Sequence, residues 1–470
     1  MNKIPPAFIG ILVMCAAGLT LFAEYLGNPV LGAVGAVAVA FYIIAQWSEL
    51  PVAGKALAIG AVLLIGVALA TEDPLGLIIQ GLERSVFMCT FLLFLGIIRA
   101  AADGSEIVRR CGSLLLSQKP GKRYTAFWTG GTLFGAIISI GSLSMFGPMI
   151  NSANTLASVG GDERIRLIRA KRSMLALLRG FTSSLLWSPM SISLAIVLQA
   201  LPGARWPYVL STGAVIALLQ MSLGWFLDRL AYPRSAVTVA PPQSSESWMV
   251  FLYPTCLLLT IFAIGSGLES QFDITLATGV MTGAPLVTLL WLVVQGRQRP
   301  SVSTSAHVMR NLGRFVRETV PRYRMELTIL STAGFAGAII AHFLEPQMIS
   351  SALAWTGAPA FLVPAIVIGL IISGGLMGLN AIITVMILGS ALPDPTSFGV
   401  APVVLATSYL AAWGMTVGSS PVAMSTLTIG NLNNVSGATV GLVWNRAYTL
   451  SCYLLSSVVL GLAVHFGAFL

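Results

Sequence analysis

Charged residues are scarce in this 470-residue chain, since Asp, Glu, Lys and Arg together make up only 9% of it. In a typical soluble domain, charged residues make up roughly a quarter of the sequence. Hydrophobic residues account for 56%, the mean hydropathy is +0.87, and apolar runs of the ~20 residues needed to cross a bilayer recur along the chain. The composition therefore excludes an ordinary soluble domain and predicts an all-α polytopic membrane protein.

Acidic residues are absent from the segments where a proton-relaying carboxylate would be expected. None occurs from Ile165 to Trp225, from Pro346 to Pro393, or after Pro395. Intramembrane proton relays usually use such carboxylates. The sequence therefore favours sodium held by carbonyls and hydroxyls, or a proton that travels on the substrate.

Cysteine and histidine are also few, and their spacing is not that of metal ligands. The five cysteines form no C-x-x-C or C-x-x-H pair, so they are interpreted as small core residues. The sequence has no P-loop, and neither clustered His, Asp or Glu nor a sizeable extramembrane loop indicates an enzyme. We expect no enzymatic activity, no cofactor and no metal centre beyond Na+ as the candidate coupling ion.

The net charge of +9 comes from basic loops between the apolar runs. It could indicate nucleic acid, but basic cytoplasmic loops of a polytopic protein explain it better. Placing Lys3 inside puts most basic loops in the cytoplasm and the C-terminus outside. The first run, Ala7 to Ala23, is interpreted as an uncleaved helix rather than a signal peptide. We expect a plasma-membrane protein, interpreted as one of a bacterial inner membrane, with no nucleic-acid partner.

Two polar, proline-containing patches interrupt long apolar spans. The first patch, Thr182 to Ser191 (TSSLLWSPMS), lies in the span 174–201, and the second, Thr416 to Ser425 (TVGSSPVAMS), lies in the span 400–429. A helix broken inside a bilayer persists only where protein or a wet cavity satisfies its backbone. Paired breaks in corresponding halves of a chain indicate the substrate site of a transporter, and we expect the two breaks to meet.

Two other segments are predicted to enter the membrane and turn back. The segment 124–160 lies between basic loops and is expected to turn at Gly141 to Pro148, although a tight pair of complete crossings is the competing interpretation. The segment 358–392 has uncharged flanks and a break at Gly374 to Asn380, and it is expected to enter from outside. The full prediction is about 10 to 11 transmembrane helices, two re-entrant hairpins and two broken helices.

A short motif indicates an internal repeat. The pattern G-x-I-I-S-x-G occurs at Gly135 to Gly141 and again at Gly369 to Gly375, an offset of 234, while Pro189 and Pro421 are 232 positions apart. One hairpin begins inside and the other outside, so the repeats are predicted to be inverted. The predicted boundaries are N-terminal helices at 1–51, a first repeat at 52–234, a linking helix at 235–273 and a second repeat at 274–470.

This arrangement resembles the ion transporter superfamily, and within it the divalent anion:sodium symporter-like transporters. The resemblance covers roughly Val52 to Leu470. It implies an elevator mechanism, in which a scaffold that forms a homodimer supports a mobile domain made of the hairpins and broken helices. In that family the hairpin tips carry Ser-Asn-Thr. The matching positions here are Ser142, Leu143 and Ser144 at the first tip and Leu379, Asn380 and Ala381 at the second, so neither tip keeps the triplet.

Broken half-helices present free amides that suit an anion and free carbonyls that suit a cation, and hydroxyls complete each site. The residues assigned to the substrate are Ser142, Ser144, Ser184, Ser188, Asn380, Thr416, Ser419 and Ser420. The residues assigned to a cation are Ser139, Thr182, Ser183, Ser373, Gly418 and Ser425. Any single serine among them could equally be an ordinary residue that hydrogen-bonds between helices.

Arg179 lies three residues before the first patch, where a charge is costly unless it is paired or wet. It could attract an anionic substrate, or it could snorkel or pair structurally, and the second interpretation is favoured. Together the features predict secondary active transport of a small organic anion, a carboxylate, coupled to Na+ or H+. The alternatives are an efflux permease for an inorganic oxyanion or organic acid, and a membrane-embedded enzyme acting on a lipid-linked substrate.

Overall fold

The computed structural model describes residues 5–102, 105–232, 246–298, 303–343, 359–392 and 394–469. Within these ranges all regular structure is helical and no strand occurs. Eight of the described helical segments are long and apolar enough to span a bilayer, and three more are apolar but shorter. The predicted class, an all-α polytopic membrane protein, is confirmed. Positions 235 and 358, where the linking helix and the second hairpin were predicted to begin, lie outside the described residues.

The α-helices of the described residues are numbered here in chain order. They are α1 (Pro6–Leu26), α2 (Pro29–Ala45), α3 (Val52–Ala68), α4 (Pro74–Ala102), α5 (Glu106–Leu116), α6 (Pro120–Ile138), α7 (Gly141–Ala153), α8 (Glu163–Trp187), α9 (Ile192–Ala200), α10 (Trp206–Ala231), α11 (Leu252–Phe272), α12 (Leu276–Arg297), α13 (Thr304–Arg314), α14 (Arg324–Phe343), α15 (Val363–Leu376), α16 (Ala381–Ala391), α17 (Pro402–Ser419), α18 (Met424–Leu432) and α19 (Arg446–His465).

The described residues fall into two compact units. The first unit takes its residues from Met1–Ser105, Leu259–Glu345 and Met386–Ala391, and the second from Glu106–Leu258, Pro346–Val385 and Leu392–Leu470. The boundary between them passes within α11 and within α16. Both interrupted spans lie wholly in the second unit. The predicted repeat boundaries concern the sequence rather than these units, and they stay a prediction.

Short polar bonds join the helices of the first unit. Ser85 Oγ and Ser331 Oγ lie 2.7 Å apart, and the Tyr42 hydroxyl donates to the Val320 carbonyl at 2.9 Å. Side-chain hydroxyls satisfied in this way are a usual means of joining helices in lipid. The apolar residues buried together in the same unit include Ala68, Leu77, Phe335 and Ile339.

In the second unit, helices α6 and α8 approach each other backbone to backbone. A methyl group on Gly180 would lie 2.2 Å from the Trp128 carbonyl oxygen. The Thr132 hydroxyl donates to the Gly180 carbonyl at 2.9 Å, and Trp128 Nε1 donates to Ser183 Oγ at 3.2 Å. Small residues at such an interface allow the close approach that drives helix association in membranes. The first hairpin is thereby fixed against the first broken helix.

The first hairpin turns at Ser139 and Ile140, so the predicted turn at Gly141 to Pro148 is wrong. Helix α6 ends at Ile138, Ser139 has a φ of 52°, and α7 begins at Gly141. Rings of Phe134 and Phe146, on either side of the turn, lie 4.9 Å apart, whereas a continuous helix would separate these residues by about 18 Å. Gly147 marks a helix contact, because a methyl group there would lie 2.3 Å from Leu432 Cδ1.

The second hairpin breaks where the sequence predicts. Helix α15 ends at Leu376, Gly378 has a φ of 94°, and α16 begins at Ala381. Helices α6 and α15 end 238 residues apart, whereas the two G-x-I-I-S-x-G motifs are 234 apart. The first motif spans its turn, but the second lies inside α15. The motif is therefore out of register with the hairpins, and short runs of small and apolar residues match easily by chance.

Candidate functional site

The two broken helices share one backbone geometry. The first is interrupted at Ser188–Ser191, between α8 and α9, and the second at Ser420–Ala423, between α17 and α18. Each break has its proline in second place, and the two lie 232 residues apart. Ser188 has φ −80° and ψ 126°, and Ser420 has φ −63° and ψ 132°. Each break falls inside the span in which the sequence predicts it.

Each break is also bridged by the same hydrogen bond. Ser193 Oγ donates across the first break to the Leu185 carbonyl at 2.8 Å. Ser425 Oγ donates across the second break to the Val417 carbonyl at 2.5 Å. These pairs are again 232 residues apart, so a serine after each proline returns to a carbonyl that the break has freed. The bonds hold each second half-helix to the first.

We expect Ser193→Ala and Ser425→Ala each to lower the free energy of unfolding by about 1 kcal/mol, because each leaves a buried carbonyl without its donor. Thermal unfolding of the purified variants in detergent measures the effect. Ser222→Ala is the matched control, since Ser222 donates to a carbonyl within α10 at an exposed position. If the control is destabilised as much as the two variants, the bridging role is wrong.

Helices α8 and α17 cross in opposite directions about an internal two-fold axis. A methyl group on Gly418 would lie 3.3 Å from Thr182 Cγ2, and one on Gly414 would lie 2.9 Å from Leu186 Cδ1. The offset of 232 converts one of these contacts into the other. Under the same offset Gly414 corresponds to Thr182, and a methyl group on Gly414 would lie 2.8 Å from the Thr182 carbonyl oxygen. The axis therefore passes between Thr182 and Gly414.

This crossing places the two breaks on opposite sides of the axis. Thr182 is level with Gly418, and Leu186 is level with Gly414. At 1.5 Å per residue, Pro189 and Pro421 are then separated by about 15 Å along the helices. The expectation that the breaks meet is therefore wrong. In an antiparallel pair the C-terminal ends of the two helices point in opposite directions, so the breaks that follow those ends lie apart. The structure therefore places the two breaks at separate points of the crossing.

Five of the predicted hydroxyls are buried and bonded to a nearby carbonyl of the same segment of chain. Those that donate to a carbonyl three or four residues earlier belong to Ser142, Thr182, Ser183, Ser184 and Ser419. Such bonds are an ordinary way to satisfy serine and threonine in a membrane helix. A ligand would have to compete with them for the hydroxyl protons, although the oxygen lone pairs stay available to a cation.

Both hairpins pack on equivalent points of the broken helices. A methyl group on Gly135 would lie 2.8 Å from Ser184 Oγ, and one on Gly375 would lie 2.1 Å from Thr416 Cγ2. Positions 184 and 416 are again 232 apart. Thr416 Oγ1 also donates to the Ile371 carbonyl at 3.4 Å. The structure thus brings the hairpins and the polar patches together, as the sequence predicts.

The remaining predicted residues lie at the breaks, at the hairpin turns or inside the hairpin helices. Ser188 and Ser420 begin the two breaks, and both are buried. The Asn380 side chain accepts from the Ile382 amide at 2.9 Å, which caps α16. Three predicted residues are exposed on the chain, namely Ser139, Ser144 and Ser373. Their side chains are not enclosed with the others.

Arg179 is buried at 7% exposure and makes a side-chain bond that the sequence did not predict. Its Nε donates to Asn445 Oδ1 at 2.9 Å, and Asn445 Nδ2 donates to the Gly418 carbonyl at 2.9 Å. The guanidinium carbon lies 4.3 Å from the ring centroid of Tyr448. Arg179 is therefore paired inside the protein, and it does not snorkel. Arg179 lies in a span without acidic residues. A buried arginine there needs a neutral acceptor, and this is the signal that could have led to Asn445.

The two-fold axis does not extend to these side chains. Under the offset of 232, Arg179 corresponds to Ala411 and Asn445 to Gly213. Gly213 takes the same place, because a methyl group on it would lie 2.0 Å from the carbonyl oxygen of Leu186, the equivalent of Gly418. The Gly418 carbonyl thus accepts from the Asn445 amide, which is bonded to the Arg179 cation. The equivalent Leu186 carbonyl packs against Gly213, which has no side chain. The charge lies at the second break only.

The N-termini of the second half-helices also differ. Ser191 Oγ accepts from the Leu194 amide at 3.3 Å and caps α9. The equivalent residue Ala423 has no side-chain acceptor, and α18 begins without a side-chain cap. Free amides at a helix N-terminus carry partial positive charge. The second break therefore combines a buried cation with uncapped amides.

Among solved structures, the chain is similar to the Alcanivorax borkumensis YdaH transporter, whose crystal structure is described as revealing an unusual topology. The TM-score is 0.55 at 14% sequence identity, and the match covers 89% of this chain and 99% of the transporter. No protein-family model and no curated protein matches the chain. The likeness shows a shared fold. It does not support the more specific resemblance to the divalent anion:sodium symporter-like transporters, which stays a prediction.

Proposed function

We propose that this protein is a secondary active transporter of a small organic anion, most simply a carboxylate. The observation that supports the proposal is the pair of broken helices, equal in backbone and crossing about a two-fold axis. Interrupted helices in two related halves are the usual position of a transporter's binding site. The fold shared with a transporter supports the same function.

The proposed mechanism is alternating access of the elevator type. Both breaks lie in the second compact unit, so this unit is the proposed carrier, and the first unit is the proposed scaffold of a homodimer. Two inverted copies in one carrier would offer an equivalent opening to each face of the membrane. The proposed location is a bacterial inner membrane, with the N-terminus in the cytoplasm and the C-terminus outside.

The chemistry of the site supports an anion with a coupling cation. Free amides and a guanidinium suit a carboxylate, and carbonyls and hydroxyls at the breaks suit Na+. The broken helices contain no Asp or Glu to relay a proton beyond Glu163 at the start of α8. We therefore propose Na+ as the coupling ion, with a proton carried on the substrate acid as the alternative.

Uptake into proteoliposomes tests the proposal. We expect the protein to accumulate at least one of radiolabelled acetate, lactate, succinate and citrate, and to do so faster with an inward Na+ gradient. Ser188→Ala and Ser420→Ala should each lower the initial rate by about tenfold, because each removes a buried oxygen at a break. Ser222→Ala is again the control.

Absence of uptake of all four acids in either direction would contradict the proposed function. Uptake that is indifferent to Na+ but driven by an inward pH gradient would support the proton alternative. If Ser188→Ala and Ser420→Ala have the same initial uptake rate as the control Ser222→Ala, then Ser188 and Ser420 are not part of the site.

A further inference from the structure

Two tyrosine rings, those of Tyr124 on α6 and Tyr448 on α19, pack against the buried Arg179 guanidinium. The guanidinium carbon lies 6.0 Å and 4.3 Å from the two tyrosine ring centroids. A guanidinium has five N–H donors, and the side-chain bonds of Arg179 to Asn445 Oδ1 and to the Tyr124 hydroxyl do not use all of them. Buried donors without an acceptor are costly unless a ligand or water supplies one.

Arg179 also lies beside the second break. The contact of Thr182 with Gly418 sets the register between the antiparallel helices. Three residues before Thr182 in α8 is Arg179, and three residues after Gly418 is Pro421, so these two are level. The uncapped N-terminus of α18 begins three residues further on, at Met424. The guanidinium and the free amides thus belong to the same end of the crossing.

The first break lacks all of these features. Its equivalent of Arg179 is Ala411, its equivalent of Asn445 is Gly213, and its helix N-terminus is already capped by Ser191. Two sites with one backbone therefore differ in charge and in the donors that they leave free. The difference has a simple chemical meaning, since guanidinium and amide donors recognise a planar oxyanion.

We propose that the carboxylate of the substrate binds at the second break, between the Arg179 guanidinium and the uncapped amides of α18. This inference rests on the proposed function and assigns its anion to one of the two sites. The first break then has no part in holding the anionic group.

Exchanging the caps of the two breaks gives the sharpest test. Ala423→Ser supplies the second break with the cap that the first one has, and its hydroxyl oxygen would occupy an amide that the carboxylate needs. We expect Ala423→Ser to raise the KM for the transported acid by about fivefold. Ser191→Ala, which uncaps the first break, should leave the KM within about twofold of wild type.

Arg179→Gln is the second variant, and we expect it to raise the KM by about tenfold or more. Arg166→Gln is its control on the same helix, because Arg166 pairs with Glu163 at the exposed end of α8. Size-exclusion chromatography and thermal unfolding check that each variant is folded. If Arg179→Gln does not fold, the Ala423→Ser and Ser191→Ala pair still decides the question.

The two proposals fail in different ways. If wild-type protein takes up none of the four acids, the proposed function is wrong. If it takes up an acid and both Ala423→Ser and Ser191→Ala keep the wild-type KM, this assignment alone is wrong. A raised KM for Ser191→Ala with an unchanged one for Ala423→Ser would move the carboxylate to the first break.

Discussion

Replacing Asn445 by Asp is expected to abolish uptake while the protein stays folded. Aspartate has the shape of asparagine, so it can pair with Arg179 where Asn445 Oδ1 accepts from Nε at 2.9 Å. The new carboxylate neutralises the guanidinium and repels an incoming anion. It also loses the amide donor that Asn445 gives to the Gly418 carbonyl. We expect kcat/KM for the transported acid to fall by about 100-fold.

The matched control is Asn431→Asp, which makes the same chemical change at an exposed position of α18. We expect this variant to transport at nearly the wild-type rate. Initial uptake rates over a range of acid concentrations, together with thermal unfolding, separate loss of affinity from loss of fold. A folded Asn445→Asp protein with wild-type kcat/KM would show that the charge of Arg179 does not act on the substrate.

Replacing Gly180 by Ala is expected to destabilise the protein strongly. The added methyl group would lie 2.2 Å from the Trp128 carbonyl oxygen and 2.9 Å from the Trp128 Cα. Because the obstacle is backbone, α6 must move away from α8, and the Thr132 bond to the Gly180 carbonyl is lost with it. Overpacking of this kind outweighs the better helix propensity of alanine, and we expect a loss of about 3 kcal/mol.

Gly60→Ala is the control, because a methyl group there meets nothing within 4 Å. Since alanine is the better helix former, this variant should unfold at the wild-type temperature or slightly above it. Fluorescence-detected size-exclusion chromatography after heating measures both variants. A Gly180→Ala protein as stable as Gly60→Ala would mean that α6 and α8 do not approach each other through Gly180.

The sequence was sufficient for the features that depend on local chemistry. Proline with flanking serines predicted both breaks, because a proline lacks the amide that a helix interior needs. Pro189 and Pro421 each lie in a break, and Gly378 lies in the second hairpin turn. The same local reasoning failed at Gly147, where a glycine serves close packing inside a helix. A single sequence gives both kinds of glycine the same letter.

Features that depend on tertiary contacts were out of reach. Serines of the patches predicted polar sites, but the separation of the breaks follows from the antiparallel crossing at Thr182 and Gly414. Asn445 lies 266 residues from Arg179, and no periodicity or spacing relates them. The short G-x-I-I-S-x-G repeat was in turn a misleading guide to register. The offset of 232 residues, which the two breaks and the two bridging serines share, was a better guide to register.

The crossing of α8 and α17 at Gly414 has a mechanical consequence. Because backbone there meets backbone, with 2.8 Å between a methyl group on Gly414 and the Thr182 carbonyl oxygen, neither helix can slide past the other without a clash. In the proposed mechanism we therefore expect the pair to move as one body and the spacing of the two interruptions to stay nearly constant. Whatever occupies one of them can influence the other through electrostatics and through the energetics of occupancy, but not through a change in the distance between them.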